Sequence, residues 1–253
     1  MGCLFSQFFT LLFSFLYSQY HSSEWGSITS LLTPTGVQVT EDGIVYASTS
    51  GGLLKYNPDT EEFNFIKTKE GLVYLDLASI ATDNQGRFWL GGADPKGYLQ
   101  VYDPQKGLVQ KITHLEITKI DHIVIDRDVA FAVYIGTTSS DIGILKFDLD
   151  EAGLPEYVDY YSNISADFTI TEIRDLDVFQ DSVYATTDQG IFAGNFTEIL
   201  NNSENWSNVF PGKTAEQFLP GNYPLILGDG SIFHRESGNW EAYCTYTGNI
   251  IQA

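Results

Sequence analysis

The sequence predicts an all-β fold: a β-propeller of four-stranded antiparallel blades, about five blades present and the ring incomplete. Three observations predict it. A unit of short apolar strand, polar turn, second strand and glycine recurs between residues 37 and 240. Its anchor glycines, Gly52, Gly97, Gly143, Gly190 and Gly230, follow one another at 45, 46, 47 and 40 residues, the period of blades built from strands and turns alone. Strand-like segments at both ends belong to no complete unit. A β-sandwich remains an alternative, but it would not show this regular self-similarity.

Taken in order, the chain opens on Leu4 to Tyr17, an uncharged run rich in Phe and Leu. It is long enough for the apolar region of a secretion signal and short for a membrane span. We expect residues 1–18 to be a signal peptide cut between Ser18 and Gln19. No basic residue precedes the run, so an uncleaved anchor stays open as the alternative. The propeller is expected over residues 24–253, with no transmembrane span once the signal is removed. Trp25 opens it as an orphan outer strand.

The first unit runs from Val37 through Gly52 to Tyr56-Asn57-Pro58. The second runs from Leu77 through Phe88-Trp89-Leu90 and Gly97 to Tyr102-Asp103-Pro104, and the third from Ile120 through Phe131 and Gly143 to Phe147-Asp148. The fourth holds Ile173, Val183-Tyr184-Ala185, Gly190 and Phe192. The fifth holds Leu225-Ile226-Leu227, Gly230 and Phe233. Gly52, Gly97, Gly143 and Gly190 are expected at tight turns between the second and third strands, with positive φ that glycine adopts without cost. Trp206 to Val209 and Trp240 to Tyr243 read as the outermost strands of the last two units. Thr247 to Gln252 resembles the start of a new unit, so the propeller is expected to be truncated at its carboxyl end; a five-blade ring that closes is the alternative.

Composition narrows the function. The chain holds 13 Lys and Arg against 33 Asp and Glu, a formal net charge of −20. Nucleic acid is excluded as a partner, because binding it needs clustered basic residues that displace counterions. After loss of the signal only Cys244 remains, so no disulfide forms within the monomer.

No catalytic residues are expected. His21, His114, His122 and His234 have no partner at metal-ligand spacing, and neither a nucleophile elbow nor a phosphate loop is present. No metal and no cofactor is expected. Thr82 to Trp89 approximates an Asp-box turn, but its Asp-to-Gly spacing is one residue too long, and it reads as a hairpin with Asp83-Asn84-Gln85-Gly86 at the turn. Four Asn-x-Ser/Thr matches, at Asn163, Asn195, Asn201 and Asn205, are short enough to arise by chance. Binding is expected at one mouth of the ring, where the loops between second and third strands converge. The candidates there are Asp94, Lys96, Asp141, Asp188 and Asp229.

Asp83 to Gly92, Ile44 to Tyr56 and Thr68-Lys-Glu-Gly-Leu72 resemble the two-component-regulator propeller repeat. Their order, with Trp25 before them and Val183-Tyr-Ala-Thr-Thr-Asp-Gln-Gly-Ile-Phe192 after, resembles the amino-terminal propeller of the PorZ-like family of the type IX (Por) secretion system. The resemblance covers roughly residues 24–253. It implies a periplasmic, cell-surface or secreted propeller that binds without catalysis. It also implies protein partners in a secretion or surface complex, with a glycan or lipopolysaccharide as a further ligand. Two other functions compete: the ligand-sensing propeller of a hybrid histidine kinase, and a glycan-active enzyme.

Overall fold

The computed structural model describes residues 31, 33–113, 116–138, 141–219, 225–236 and 239–245. The expected signal segment, the strand at Trp25 and the start of a unit at Thr247 lie outside these. The described residues form five four-stranded antiparallel sheets, each in simple sequential order. Blade 1 is β1 (Pro34–Val39), β2 (Val45–Thr49), β3 (Gly52–Asn57) and β4 (Glu62–Ile66). Blade 2 is β5 (Leu77–Thr82), β6 (Phe88–Gly92), β7 (Tyr98–Asp103) and β8 (Gly107–Thr113). Blade 3 is β9 (Ile117–Asp126), β10 (Val129–Gly136), β11 (Ile142–Leu149) and β12 (Pro155–Tyr161). Blade 4 is β13 (Ile173–Phe179), β14 (Ser182–Thr187), β15 (Gly190–Asn195) and β16 (Trp206–Asn208). Blade 5 is β17 (Gln217–Leu219), β18 (Leu225–Gly228), β19 (Ser231–Glu236) and β20 (Asn239–Thr245). The tryptophan strands expected at the rim are β16 and β20.

Side chains on a strand alternate between faces, and a middle strand of a blade has a neighbouring blade on each face. Each middle strand therefore needs apolar residues at nearly every position. In β6, Phe88 and Leu90 enter the core shared with blade 1, while Trp89 enters the core shared with blade 3. In β10, Phe131 and Val133 face blade 4, and Ala130, Ala132 and Tyr134 face blade 2. In β14, Val183 and Ala185 face blade 3, and Tyr184 faces blade 5. Full burial of each such Leu, Val or Phe contributes about 1.5–3 kcal/mol of transfer free energy. Stacking blades is how the sequence collects it on both faces.

Four such cores join consecutive blades from 1 to 5; among the described residues none joins blade 5 back to blade 1. The consequence shows on blade 1. Strand register puts Val39, Val45, Tyr56 and Phe63 in one row and Val37, Ala47, Leu54 and Phe65 in the next, all on the face turned away from blade 2. Val39, Phe63 and Phe65 on that face are 63%, 59% and 51% exposed, whereas Leu53 and Ile66 on the opposite face are buried. Over the described residues the outer face of blade 1 has no partner blade packed against it.

The glycine expectation needs correction. Gly52 and Gly190 take positive φ, 121° and 116°, but Gly97 and Gly143 do not. Those two are glycine for space. A Cβ at Gly97 would lie 2.6 Å from the Ile117 side chain, and one at Gly143 would lie 2.3 Å from the Tyr161 carbonyl and 2.7 Å from the Tyr134 ring. The loops of blades 2 and 3 are longer, so their turns no longer demand the left-handed conformation.

Candidate functional site

The first strands β1, β5, β9, β13 and β17 pack in succession, so they form the inner edge of the array. With strands running alternately up and down, the turns between second and third strands share one end of the blades with the connectors leading to the next blade. All five predicted binding residues fall at this end. Asp94 and Lys96 lie in the β6–β7 loop, Asp141 just before β11, Asp188 in the β14–β15 turn and Asp229 in the β18–β19 turn.

They do different things there. The Asp188 carboxylate accepts from the Thr171 backbone N–H (3.1 Å), the Thr171 hydroxyl (2.8 Å) and the Glu172 N–H (3.3 Å). Burial pulls its pKa up, and the hydrogen bonds from Gln189 and Thr171 outweigh that, holding it below the ordinary carboxylate value. Asp229 repeats the arrangement one blade on, accepting from the Thr214 N–H at 3.2 Å. Both carboxylates tie a blade connector to a turn. Asp94 lies beside Tyr98, whose phenol is pushed far up by burial and further by Asp76 and Asp94; Tyr98 donates to the Asp76 carbonyl at 2.7 Å. Lys96 is exposed. No hydrogen bond or ion pair joins any two of the five among the described residues.

Asp141 opens onto a cavity. A cleft of about 340 Å³ at the end of blade 3 is lined by Glu116, Ile117, Tyr134, Asp141, Leu145, Tyr160 and Ser162. Tyr134 and Tyr160 meet edge to face, centroids 6.3 Å apart. Burial pushes the Tyr134 phenol up to about 12, and the Asp141 charge adds to the shift. Two glycines make the room: a Cβ at Gly136 would sit 1.8 Å from the Asp141 carboxylate, and Gly143 admits the Tyr134 ring.

A second cluster sits on the inner wall. His122 occupies a bulge of β9 with φ of 28°, which turns its imidazole towards β13. Its Nδ1 lies 3.7 Å from the Asp175 carboxylate, and Lys119 pairs with Asp121 two residues before Ile123. Asp175 also accepts from the Leu176 and Phe218 backbone N–H groups, both at 2.8 Å. Burial raises its pKa against the opposing pull of His122. One carboxylate thus links the inner strands of blades 3, 4 and 5. No hydroxyl or thiol side chain hydrogen bonds to His122 among the described residues, and no three acidic, His or Cys side chains there are grouped to hold a metal.

The hairpin at Asp83 does more than turn the chain. Asp83 and Arg87 are both nearly fully buried and pair at 2.6 Å. Asp83 further accepts from the Gln85 and Arg87 N–H groups and from the Trp89 indole. Arg87 and Gln85 donate to the Ala152 carbonyl, at 3.1 and 3.0 Å, and Arg87 also to Gly153. Blade 2 is therefore fastened to blade 3 by a buried charge. Turn composition alone did not reveal this; the signal was an arginine directly before Phe88-Trp89, in a turn that otherwise has no reason to hold a cation.

No family model and no curated protein matches the chain. Solved structures do. PorZ of Porphyromonas gingivalis, described as an essential bacterial surface component of the type-IX secretion system, aligns with a TM-score of 0.60 and 15% identity over 88% of this chain and 35% of its own. The extracellular domain of a protein assigned to the hybrid two-component systems of Bacteroides thetaiotaomicron aligns at 0.61 with 13% identity, over 87% of this chain and 28% of its own. A gluconolactonase of Xanthomonas campestris aligns at 0.54 with 10% identity, over 76% and 68%. This chain thus spans about a third of the first two. At these identities the likeness shows the fold.

Proposed function

We propose that the chain is a binding propeller of a bacterial extracytoplasmic system, most similar in role to a PorZ-like component of a type IX secretion apparatus, and that it has no catalysis of its own. The carrying observation is the match over 88% of the chain to a surface component of that apparatus. In this reading residues 1–18 direct export, the chain resides in the periplasm or at the cell surface, and its partners are protein subunits of the complex, with a glycan or lipopolysaccharide as a further ligand. Asp94, Lys96, Asp141, Asp188 and Asp229 mark the face that meets them. A net charge of −20 favours neutral or cationic groups on that partner surface.

The test is made in the source bacterium. A tagged chain is expected in the envelope or surface fraction, accessible to added protease once the outer membrane is opened, and deletion of its gene should stop cargo secretion. Recovery in the cytoplasm, or unaltered secretion, would overturn the proposal. A second reading, a ligand-sensing propeller, is favoured by the equal fold match to the hybrid two-component domain. It expects deletion to alter a transcriptional response while secretion continues.

A further inference from the structure

The cleft at the end of blade 3 combines two tyrosine rings with two acidic side chains and has no Lys, Arg or His among the described residues of its lining. Tyr134 forms the buried wall, and Tyr160, half exposed at 51%, forms the rim. Ile117 and Leu145 supply an apolar floor. Among the described residues the Asp141 carboxylate makes no ion pair. Its charge already acts on the Tyr134 phenol, so ring and carboxylate share one electrostatic environment. The volume, about 340 Å³, lies at the lower end of the range of small-ligand sites, roughly 300–1,000 Å³.

A negative ring face and a carboxylate around an apolar floor attract one kind of group: an organic cation on an aliphatic stem. The rings favour the cation electrostatically, the carboxylate hydrogen bonds to it, and the floor takes the methylenes. We infer that this cleft is a recognition site for a guanidinium or ammonium group carried on an alkyl stem, the side chain of an arginine or lysine on a partner peptide. Gly136 and Gly143 are part of its construction, since a methyl group at either position would displace Asp141 or Tyr134. The inference rests on the binding reading above and gives that face a partner chemistry.

The test is titration of the whole chain with Nα-acetyl-arginine amide, its uncharged isostere Nα-acetyl-citrulline amide, putrescine, and the peptide Gly-Gly-Arg-Gly-Gly, read by calorimetry. The arginine derivative is expected to bind saturably and the citrulline one at least tenfold more weakly. Asp141→Asn should weaken arginine binding about tenfold, the loss of one charged hydrogen bond. Tyr160→Ala should weaken it about two- to fivefold, the range of a partly exposed cation–π contact, and Tyr160→Phe should restore it. Asp59→Asn, an equal loss of charge on an exposed turn of blade 1, should leave it unchanged. Tighter binding of the peptide than of putrescine supports a protein partner; the reverse supports a free amine as the source of the same cation. Equal binding of arginine and citrulline, equal effects of Asp59→Asn and Asp141→Asn, or no saturable binding would each overturn the inference. None of those results touches secretion or surface location, so the broader proposal stands or falls separately.

Discussion

Removing the Arg87 side chain exposes how much the blade 2–blade 3 junction depends on a buried charge. In Arg87→Leu the backbone N–H of residue 87 still reaches Asp83, and the Trp89 indole stays at 3.2 Å. What disappears is the 2.6 Å ion pair and the donors to Ala152 and Gly153 on blade 3. The Asp83 carboxylate is left buried with neutral donors only. Breaking one side of such a pair costs about 3–5 kcal/mol. For a chain of this size that is a fall in Tm of roughly 6 to 20 °C, at about 2–4 °C per kcal/mol.

The measurement is urea unfolding followed by tryptophan fluorescence, with Trp89 as a reporter beside the pair. Adding Asp83→Asn to Arg87→Leu removes the orphan charge while keeping an oxygen to accept the Gln85 and Arg87 N–H groups, 2.9 and 3.0 Å away. The double variant is therefore expected to be more stable than Arg87→Leu alone, a coupling that a cycle of variants isolates. A loss under about 1 kcal/mol for Arg87→Leu, the value of an exposed pair, would refute the reasoning. So would a double variant no more stable than the single one.

Two further outcomes follow from geometry and charge. Gly143→Ala places a methyl 2.3 Å from the Tyr161 carbonyl and is expected to cost about 3 kcal/mol as an overpacked site. Gly86→Ala, with φ of 74° and open space around it, should cost only about 1 kcal/mol from left-handed strain; chemical denaturation ranks the pair. Burial pushes the Asp177 carboxyl from its ordinary 3.8 up to about 6, against the Val178 N–H and with help from Asp175. The folded chain therefore holds a proton that the unfolded chain releases between about pH 4 and 6, and stability from this group falls as pH rises through that window. Asp177→Asn is expected to stabilise at pH 7 by about 1 kcal/mol, allowing for solvent screening of a partly exposed group, and to change nothing below pH 4; denaturation midpoints at pH 3.5 and 7 test both halves.

The repeat was legible because each blade solves the same burial problem with the same pattern. Phe88-Trp89-Leu90 and Val183-Tyr184-Ala185 read as strands with apolar residues on both faces, and both faces are covered. The outer strands at Trp206 and Trp240 were legible for a similar reason: a large ring at the rim covers the end of its blade, and the Trp206 indole donates to the Leu200 carbonyl at 2.9 Å. The glycine roles were only half legible. Spacing marks where a glycine is needed, but whether it serves a positive φ, as at Gly190, or a close approach, as at Gly143, depends on loop length and on a neighbour far along the chain.

Function was less legible because its determinants are pairs that the sequence keeps apart. Asp188 and Asp229 look like ligand residues in a list of turn carboxylates, yet folding brings Thr171 and Thr214 to them from preceding connectors. Asp141 occupies the corresponding end of its blade without such a donor among the described residues, and faces tyrosines instead. The connector between blades 3 and 4, residues 162–172, carries Thr171, which reaches the turn of the following blade. The connector into blade 3 places Glu116, directly before β9, in the lining of the Asp141 cleft. Glu116 and Asp141 beside the Tyr134 and Tyr160 rings give that end of blade 3 a negatively charged opening with aromatic walls. The same end of a blade thus serves as a clasp in blade 4 and as a cleft in blade 3, and the difference lies in which residues folding brings to the turn carboxylate.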